Sequence, residues 1–186
     1  MSSIIGKKLK VKNQEVERKF MAGDISEVQS QIIDVLHIQQ QYFSFDKSEE
    51  GRVRTTKSIL RPCEAKHELC IKRLISNEQA QLFSKEPAHV REEFEVAISR
   101  DMTLNILAVA NSKYSPLEKY RTEFFIDGVL YELDNYFKQS VMIVEVEFET
   151  QKEAELFVPP SWLGEECKTK ALDLWKMQNN YKNCLM

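Results

Sequence analysis

Apolar and polar residues alternate with a period of two through most of this chain, which is the spacing of β-strands whose two faces meet different surroundings. The alternation predicts eight strands, at residues 14–21, 38–46, 51–56, 68–75, 90–98, 117–126, 129–136 and 141–150. Asp127-Gly128 between the sixth and seventh is a two-residue hairpin signal. Two helices interrupt the strands. One opens at Asp24, with Glu27 as its capping-box partner and Val28, Ile32, Val35 and Leu36 as its apolar stripe. The other follows Ser99 and carries Met102, Leu104, Ile106, Leu107 and Val109. From Glu153 onward the chain reads as short helices broken by Pro159-Pro160 and Gly164. Strands that follow one another without long crossovers argue for an antiparallel sheet, and eight are enough to close a barrel. The expected class is therefore α+β, mainly antiparallel β.

The polar face of nearly every strand carries ionised groups rather than Ser, Thr, Asn or Gln. Glu15, Glu17 and Lys19 share one face of the first strand, with Val16 and Phe20 on the other. Arg52 and Arg54 lie opposite Val53, and Lys72 opposite Ile71. Glu93 and Glu95 alternate with Phe94 and Val96. Lys119, Arg121 and Glu123 alternate with Tyr120 and Phe124. Glu132 and Asp134 oppose Tyr131 and Leu133, while Glu145, Glu147 and Glu149 oppose Val144, Val146 and Phe148. An open sheet with one solvated face gives such a pattern. So does a closed barrel with its charges inside and its apolar outer face covered by helices. In the closed form the like charges need counter-charges or ligands, because unpaired buried charge is costly. A multiply charged anion with divalent cations meets both needs. Arg and Lys suit phosphate oxygens, and carboxylates suit hard cations such as Mg²⁺ or Mn²⁺.

Composition narrows the classes. With 186 residues, 42% hydrophobic and 30% charged, the chain suits one globular domain, taken as residues 13–186 behind a basic tail at 1–12. A formal net charge of -3 offers no broad basic field for nucleic acid, so a polyanion site has to be built locally. No apolar run reaches the ~18 residues of a membrane helix, and the lysine-rich start lacks the apolar stretch of a signal peptide. Cys63, Cys70, Cys167 and Cys184 form no CxxC pair, and His37, His67 and His89 stand at no zinc-like spacing to them. Reduced thiols in a cytoplasmic protein are expected.

The ordered set of motifs resembles the CYTH, or triphosphate tunnel metalloenzyme, family. Glu15-Val16-Glu17-Arg18-Lys19 resembles its opening ExExK, Gln41-Tyr42 its Gln-x-Tyr step, and Arg52-Val53-Arg54 its RxR. Lys72 resembles its strand lysine, Glu93-Phe94-Glu95 its mid-chain ExE, and Lys119-Tyr120-Arg121 its KxR. Glu132-Leu133-Asp134, Glu145-Val146-Glu147, Trp162-Leu163-Gly164 and Tyr181-Lys182-Asn183 follow in family order. The compact bacterial inorganic triphosphatase branch is the nearest in style. Cys70 departs from the Thr common at its position, and the segment from Glu165 to Asn180 is longer than in compact relatives.

The resemblance implies a closed eight-stranded barrel with a charged tunnel and metal-dependent triphosphate hydrolysis. It implies metal binding by Glu15, Glu17, Glu145 and Glu147, with Mg²⁺ or Mn²⁺ as cofactor. It implies triphosphate binding by Lys19, Arg52, Arg54, Lys72, Lys119 and Arg121. Catalysis would rest on Glu15, Glu17, Lys19 and Glu147. Glu93 and Glu95 would pair with the basic rows, and Glu132 and Asp134 would orient the basic side chains or complete a metal shell through water. The partner is a small-molecule triphosphate, with no nucleic acid and no membrane, on a monomer or homodimer. The family also contains class IV adenylyl cyclases and thiamine triphosphatases, and a barrel that only sequesters polyphosphate is the non-enzyme reading. The 165–180 segment is expected to cover the outer face of the barrel through Leu172, Trp175 and Met177.

Overall fold

The computed structural model describes residues 15–45, 49–61, 64–74, 89–109 and 114–179. Nine strands are formed: β1 (Glu15–Ala22), β2 (Ile32–Phe45), β3 (Glu49–Ser58), β4 (Lys66–Leu74), β5 (His89–Ala97), β6 (Leu117–Ile126), β7 (Val129–Tyr136), β8 (Val141–Phe148) and β9 (Leu163–Glu166). Three α-helices accompany them: α1 (Arg100–Val109), α2 (Gln151–Leu156) and α3 (Ala171–Gln178). The sheet order is β5-β4-β3-β2-β6-β7-β8-β1-β9, and β5 also pairs with β1. That last pairing closes β1–β8 into an antiparallel barrel, while β9 lies beside the part of β1 that β5 leaves unpaired. The closing seam is short, with Glu15, Val16 and Glu17 opposite Arg91, Val90 and His89.

Most predicted strands form within two residues of their expected bounds, and the β6–β7 turn is the expected one. Asp127 and Gly128 have φ of 51° and 82°, the left-handed pair that a type I′ hairpin requires. Two expectations are corrected. The helix after Asp24 is a single short 3-10 segment, Ile25–Gln31, capped by the Asp24 carboxylate, which accepts from the Ser26 amide. Ile32, Val35 and Leu36 belong to β2 instead. Their spacing fits a helical stripe, but β-branched Ile32, Ile33 and Val35 favour the extended chain, and pairing of Ile32 with Phe124 on β6 decides it. The second correction is β9, a strand where short helices were expected. Gly164 makes it possible: a Cβ there would meet the Met21 carbonyl oxygen at 2.8 Å, so only glycine lets β9 approach β1 this closely.

Two apolar clusters hold the barrel from outside and from one end. The outer cluster joins Val16, Phe20, Phe124, Tyr131, Leu133, Val144, Val146 and Phe148 to Val28, Ala154, Trp162 and Leu163. Arg18 lies within it, paired with Glu166 at 2.7 Å and donating to the Ala154 and Phe157 carbonyls. The second cluster combines Tyr42, Leu117, Tyr136 and Ile143 with Leu172, Leu174 and Trp175 of α3. Those four barrel residues lie on the same strand faces as the charged rows, so α3 packs across one end of the barrel interior rather than along its outer wall. Met177, expected among the contacts, is 59% exposed. Residues 1–12 and the Tyr181-Lys182-Asn183 motif lie outside the described residues. Among the described residues, no helix is long and apolar enough to cross a membrane.

Trp175 is fully buried, its indole N–H donates to the Ser115 carbonyl, and its ring lies 5.5 Å from Tyr42. Trp175→Ala should therefore cost about 3–5 kcal/mol in urea unfolding, whereas Met177→Ala should stay within about 0.5 kcal/mol. Equal effects of the two would show that α3 is not seated on the barrel end.

Candidate active site

Strand alternation points the ionised rows into the barrel, where they line one cavity of about 650 Å³. Its walls carry Glu15, Glu17 and Lys19 from β1, Arg52 and Arg54 from β3, and Lys72 from β4. Glu93 and Glu95 come from β5, Lys119 and Arg121 from β6, Glu132 from β7, and Glu145 and Glu147 from β8. Every residue given a site role in the sequence thus reaches the cavity except Asp134, while Glu123 and Glu149 of the charged rows do not line it. Asp134 sits just behind it with no exposed surface, where it accepts from Arg121 Nε at 2.7 Å and from Lys119.

Sequence reasoning missed four charged lining residues: Glu50, Glu68, Arg91 and Lys170. Three were readable. Glu50 shares the face of Arg52 and Arg54 once β3 is extended two residues, Glu68 shares that of Lys72, and Arg91 shares that of Glu93 and Glu95. Lys170 precedes α3, outside any strand, and no periodicity marks it.

Nine carboxylates and eight basic groups face the cavity, so it is close to neutral and its selectivity rests on arrangement. The acids gather on β7, β8 and β1. Glu17 stands directly opposite Glu147, and Glu132 directly opposite Glu145. Like charges at directly opposed positions destabilise a sheet unless cations lie between them. The bases gather on β3, β4 and β6. Between β3 and β6, β2 presents Ile38, Gln40 and Tyr42, whose register partners include Arg54, Arg52 and Lys119.

Ion pairs tie the two sets together. Lys19 bonds Glu145 and lies 3.2 Å from Glu17. Lys72 bonds Glu15 and lies 3.3 Å from Glu93. Arg121 reaches Glu132, Asp134 and Glu145. Arg91 approaches Glu15 at 3.0 Å and Glu17 at 2.9 Å. The pairing is incomplete on the basic side. Arg54 meets Glu95 only at 3.7 Å, and Arg52 meets Glu50 only at 4.0 Å. Among the described residues, the Nε atoms of Arg52, Arg54 and Arg91 are buried without a hydrogen-bond partner.

The pairing sets the protonation states. Burial pushes the Glu15 carboxyl up, but Lys72 and Arg91 outweigh it and hold it well below the usual range. Burial also works against a charged Lys19, yet Glu145 and Glu17 carry its pKa above that of an ordinary lysine. Lys119 goes the other way. Burial and the neighbouring Arg121 push it down to about 8, because Asp134 is one carboxylate shared by two cations. Burial raises Glu132, reinforced by Glu145 across the strand pair.

Donor chemistry for a hard divalent cation is present in Glu15, Glu17, Glu132, Glu145 and Glu147. A separate group, Cys70 Sγ with one oxygen each of Glu93 and Glu95, lies within 4.8 Å mutually. Cys70 donates to Glu93 at 3.2 Å, and burial pushes its thiol up to about 11, so it stays protonated beside Arg52 and Lys72. The glutamates of β1 and β8 are the better match to Mg²⁺ or Mn²⁺ in chemistry, since all their donors are hard oxygens.

The chain is similar to proteins with the same architecture. An inorganic triphosphatase from Nitrosomonas europaea is 37% identical over 93 residues, 45% of this chain and 60% of that protein, so the match spans under two thirds of the relative's length. The crystal structure of the inorganic triphosphatase NE1496 shows 26% identity and a TM-score of 0.48 over 82% of this chain and 85% of that one. The PH1819 protein from Pyrococcus horikoshii OT3 superposes with a TM-score of 0.59 at 16% identity, over 88% of this chain and 97% of the other, and so shares the fold. The CYTH domain family model matches residues 13–172, a span that contains every strand of the barrel, and on that match the chain belongs to the CYTH domain family.

Proposed function

We propose that this protein hydrolyses a linear triphosphate inside the barrel, with inorganic triphosphate as the substrate and Mg²⁺ or Mn²⁺ as cofactor. The observation that carries the reading is the split interior. A basic arc on β3, β4 and β6, in which the buried Nε–H groups of Arg52 and Arg54 have no acceptor among the described residues, faces an acidic arc of opposed glutamates. An anion with several charges satisfies the first arc, and divalent cations satisfy the second. The name of the Nitrosomonas europaea relative, an inorganic triphosphatase, supports the same reaction.

Arg52, Arg54, Lys72, Lys119 and Arg121 neutralise the non-bridging oxygens and fix the phosphate chain for in-line attack. Lys19 holds the boundary between the arcs through Glu17 and Glu145. Glu15, Glu17, Glu145 and Glu147 would hold the cations, whose chemistry is charge neutralisation and polarisation of the phosphoryl oxygens. Asp134 and Glu132 fix the Arg121 fork, and Glu93 and Glu95 steady Lys72 and Arg54. The described lining residues include no aromatic ring, so nothing there stacks on a purine or a thiamine ring. The barrel end filled by Tyr42, Tyr136 and Trp175 leaves an organic leaving group only the other end.

Phosphate release from inorganic triphosphate should require Mg²⁺ or Mn²⁺, stop with EDTA, and exceed release from ATP or thiamine triphosphate. Arg54→Ala should lower kcat/KM by roughly 10²-fold, the scale of losing one charge-stabilising donor. Absence of release under any divalent cation would sink the hydrolase reading.

Lys119 gives the site a pH signature. Below about pH 8 its ammonium is intact and triphosphate affinity should be flat. Above that, affinity should fall with up to tenfold loss per pH unit, as one proton must be taken up on binding. Titration calorimetry at pH 7 and 9.5 reads this directly, and Lys119→Arg should remove the dependence. An unchanged dependence in Lys119→Arg would place the titrating group elsewhere.

A further inference from the structure

Both oxygens of each β1 carboxylate are engaged by cationic side chains. Glu15 takes Lys72 on one oxygen and, as an ion pair without hydrogen-bond geometry, Arg91 on the other, and Glu17 accepts from Arg91 on one oxygen and pairs with Lys19 on the other. A single guanidinium nitrogen, Arg91 Nη2, stands between the two residues, 3.0 Å from Glu15 and 2.9 Å from Glu17. That is the position a cation shared by the two carboxylates would occupy. Arg91 belongs to β5, on the other side of the closing seam, and its own Nε is buried with no acceptor among the described residues. In this arrangement a divalent cation cannot reach Glu15 and Glu17 without displacing Arg91. A displaced Arg91 would keep only its long contact to Glu50, 3.8 Å from Nη1, and would be a poorly paired, largely buried cation unless an anion receives it.

We propose that Arg91 is a positioning residue that couples the two ligands of the tunnel. It fills the shared cation position of Glu15 and Glu17 when the tunnel lacks ligand, and turns to the phosphate chain when the cation arrives. This rests on the triphosphate reading above and deepens it. Cation and triphosphate then bind as a pair, each tightening the other by the same factor, as linkage requires. Lys72 and Lys19 take part in the same exchange, since each also releases a β1 carboxylate when it engages an anion. Arg91 differs in bridging both carboxylates at once.

The test is Mn²⁺ binding followed by the electron paramagnetic resonance of the free ion, with and without a methylene-bridged triphosphate analogue that resists hydrolysis. In the wild type, saturating analogue should tighten Mn²⁺ binding at least tenfold. In Arg91→Gln, Mn²⁺ should bind more tightly than in the wild type without the analogue, and the tightening by the analogue should shrink. Arg91→Lys should restore the wild-type coupling. Circular dichroism and the unfolding midpoint establish that each variant is folded, and the wild-type coupling can be measured whatever the variants do. Wild-type Mn²⁺ affinity that ignores the analogue would overturn the proposal. So would Mn²⁺ binding in Arg91→Gln that is no tighter than wild type, even where the wild type turns over triphosphate. Failure of the analogue to bind any variant, with or without Mn²⁺, would remove the triphosphate reading and this proposal together.

Discussion

Ionised side chains taken out of water must find opposite charge, and the barrel is organised around that requirement. Closing the sheet turns sixteen charged groups of the described residues toward one cavity, and Lys170 joins them from outside the strands. Each would cost several kcal/mol there if left alone. Strand register answers most of the cost, because it sets Lys19 against Glu145 and Arg121 against Asp134 as direct cross-strand neighbours. It also creates strain of its own, since the same register sets Glu17 against Glu147 and Glu132 against Glu145. Register cannot cure both. The residual mismatch, opposed carboxylates on one wall and incompletely paired guanidinium groups on the other, is what the proposed polyanion and its cations would satisfy.

Such an interior lacks the apolar filling that stabilises most small barrels. The apolar cores therefore lie elsewhere. The outer cluster of β1, β6, β7 and β8 is covered by the 3-10 segment, α2 and the approach to β9. Arg18 belongs there and is the one charged side chain of β1 that points away from the cavity, with Glu166 and two carbonyls satisfying it. The second core fills one end of the barrel through Trp175 and its neighbours. Packing on the outside and at the end lets the middle remain charged, so the energetic support of the fold and its chemistry occupy separate spaces.

Most of this was legible in the residues. Period-two alternation placed the strands, and Asp127-Gly128 fixed the hairpin between β6 and β7. Charge on the polar face named thirteen of the twenty cavity-lining residues before any pairing was known. Legibility failed where local pattern and tertiary pairing disagree. Ile32, Val35 and Leu36 have helical spacing but are held extended by pairing with β6, and Leu36 with β3 as well. The Leu163–Glu166 strand is too short to show alternation and depends on Gly164 and an edge of β1 left open by β5. Arg91 carries the opposite sign to Glu93 and Glu95 on its own strand face, so sign segregation does not mark it. Which carboxylate it bridges is a consequence of barrel closure, and no linear pattern encodes that. The end-on seating of α3 likewise depends on which face of β2 and β6 turns inward.

The central claim is that these charges are kept for a ligand and not for stability. Arg52 tests it most directly, since it is buried, its nearest carboxylate is 4.0 Å away and its Nε has no partner among the described residues. Replacing it by Met and measuring both urea unfolding and triphosphate binding separates the two roles. Stability unchanged within about 1 kcal/mol, or raised, together with at least a tenfold loss of triphosphate affinity, is the predicted result. A loss of about 3–5 kcal/mol with affinity intact would mean that the interior is a structural ion-pair network, and would contradict the account.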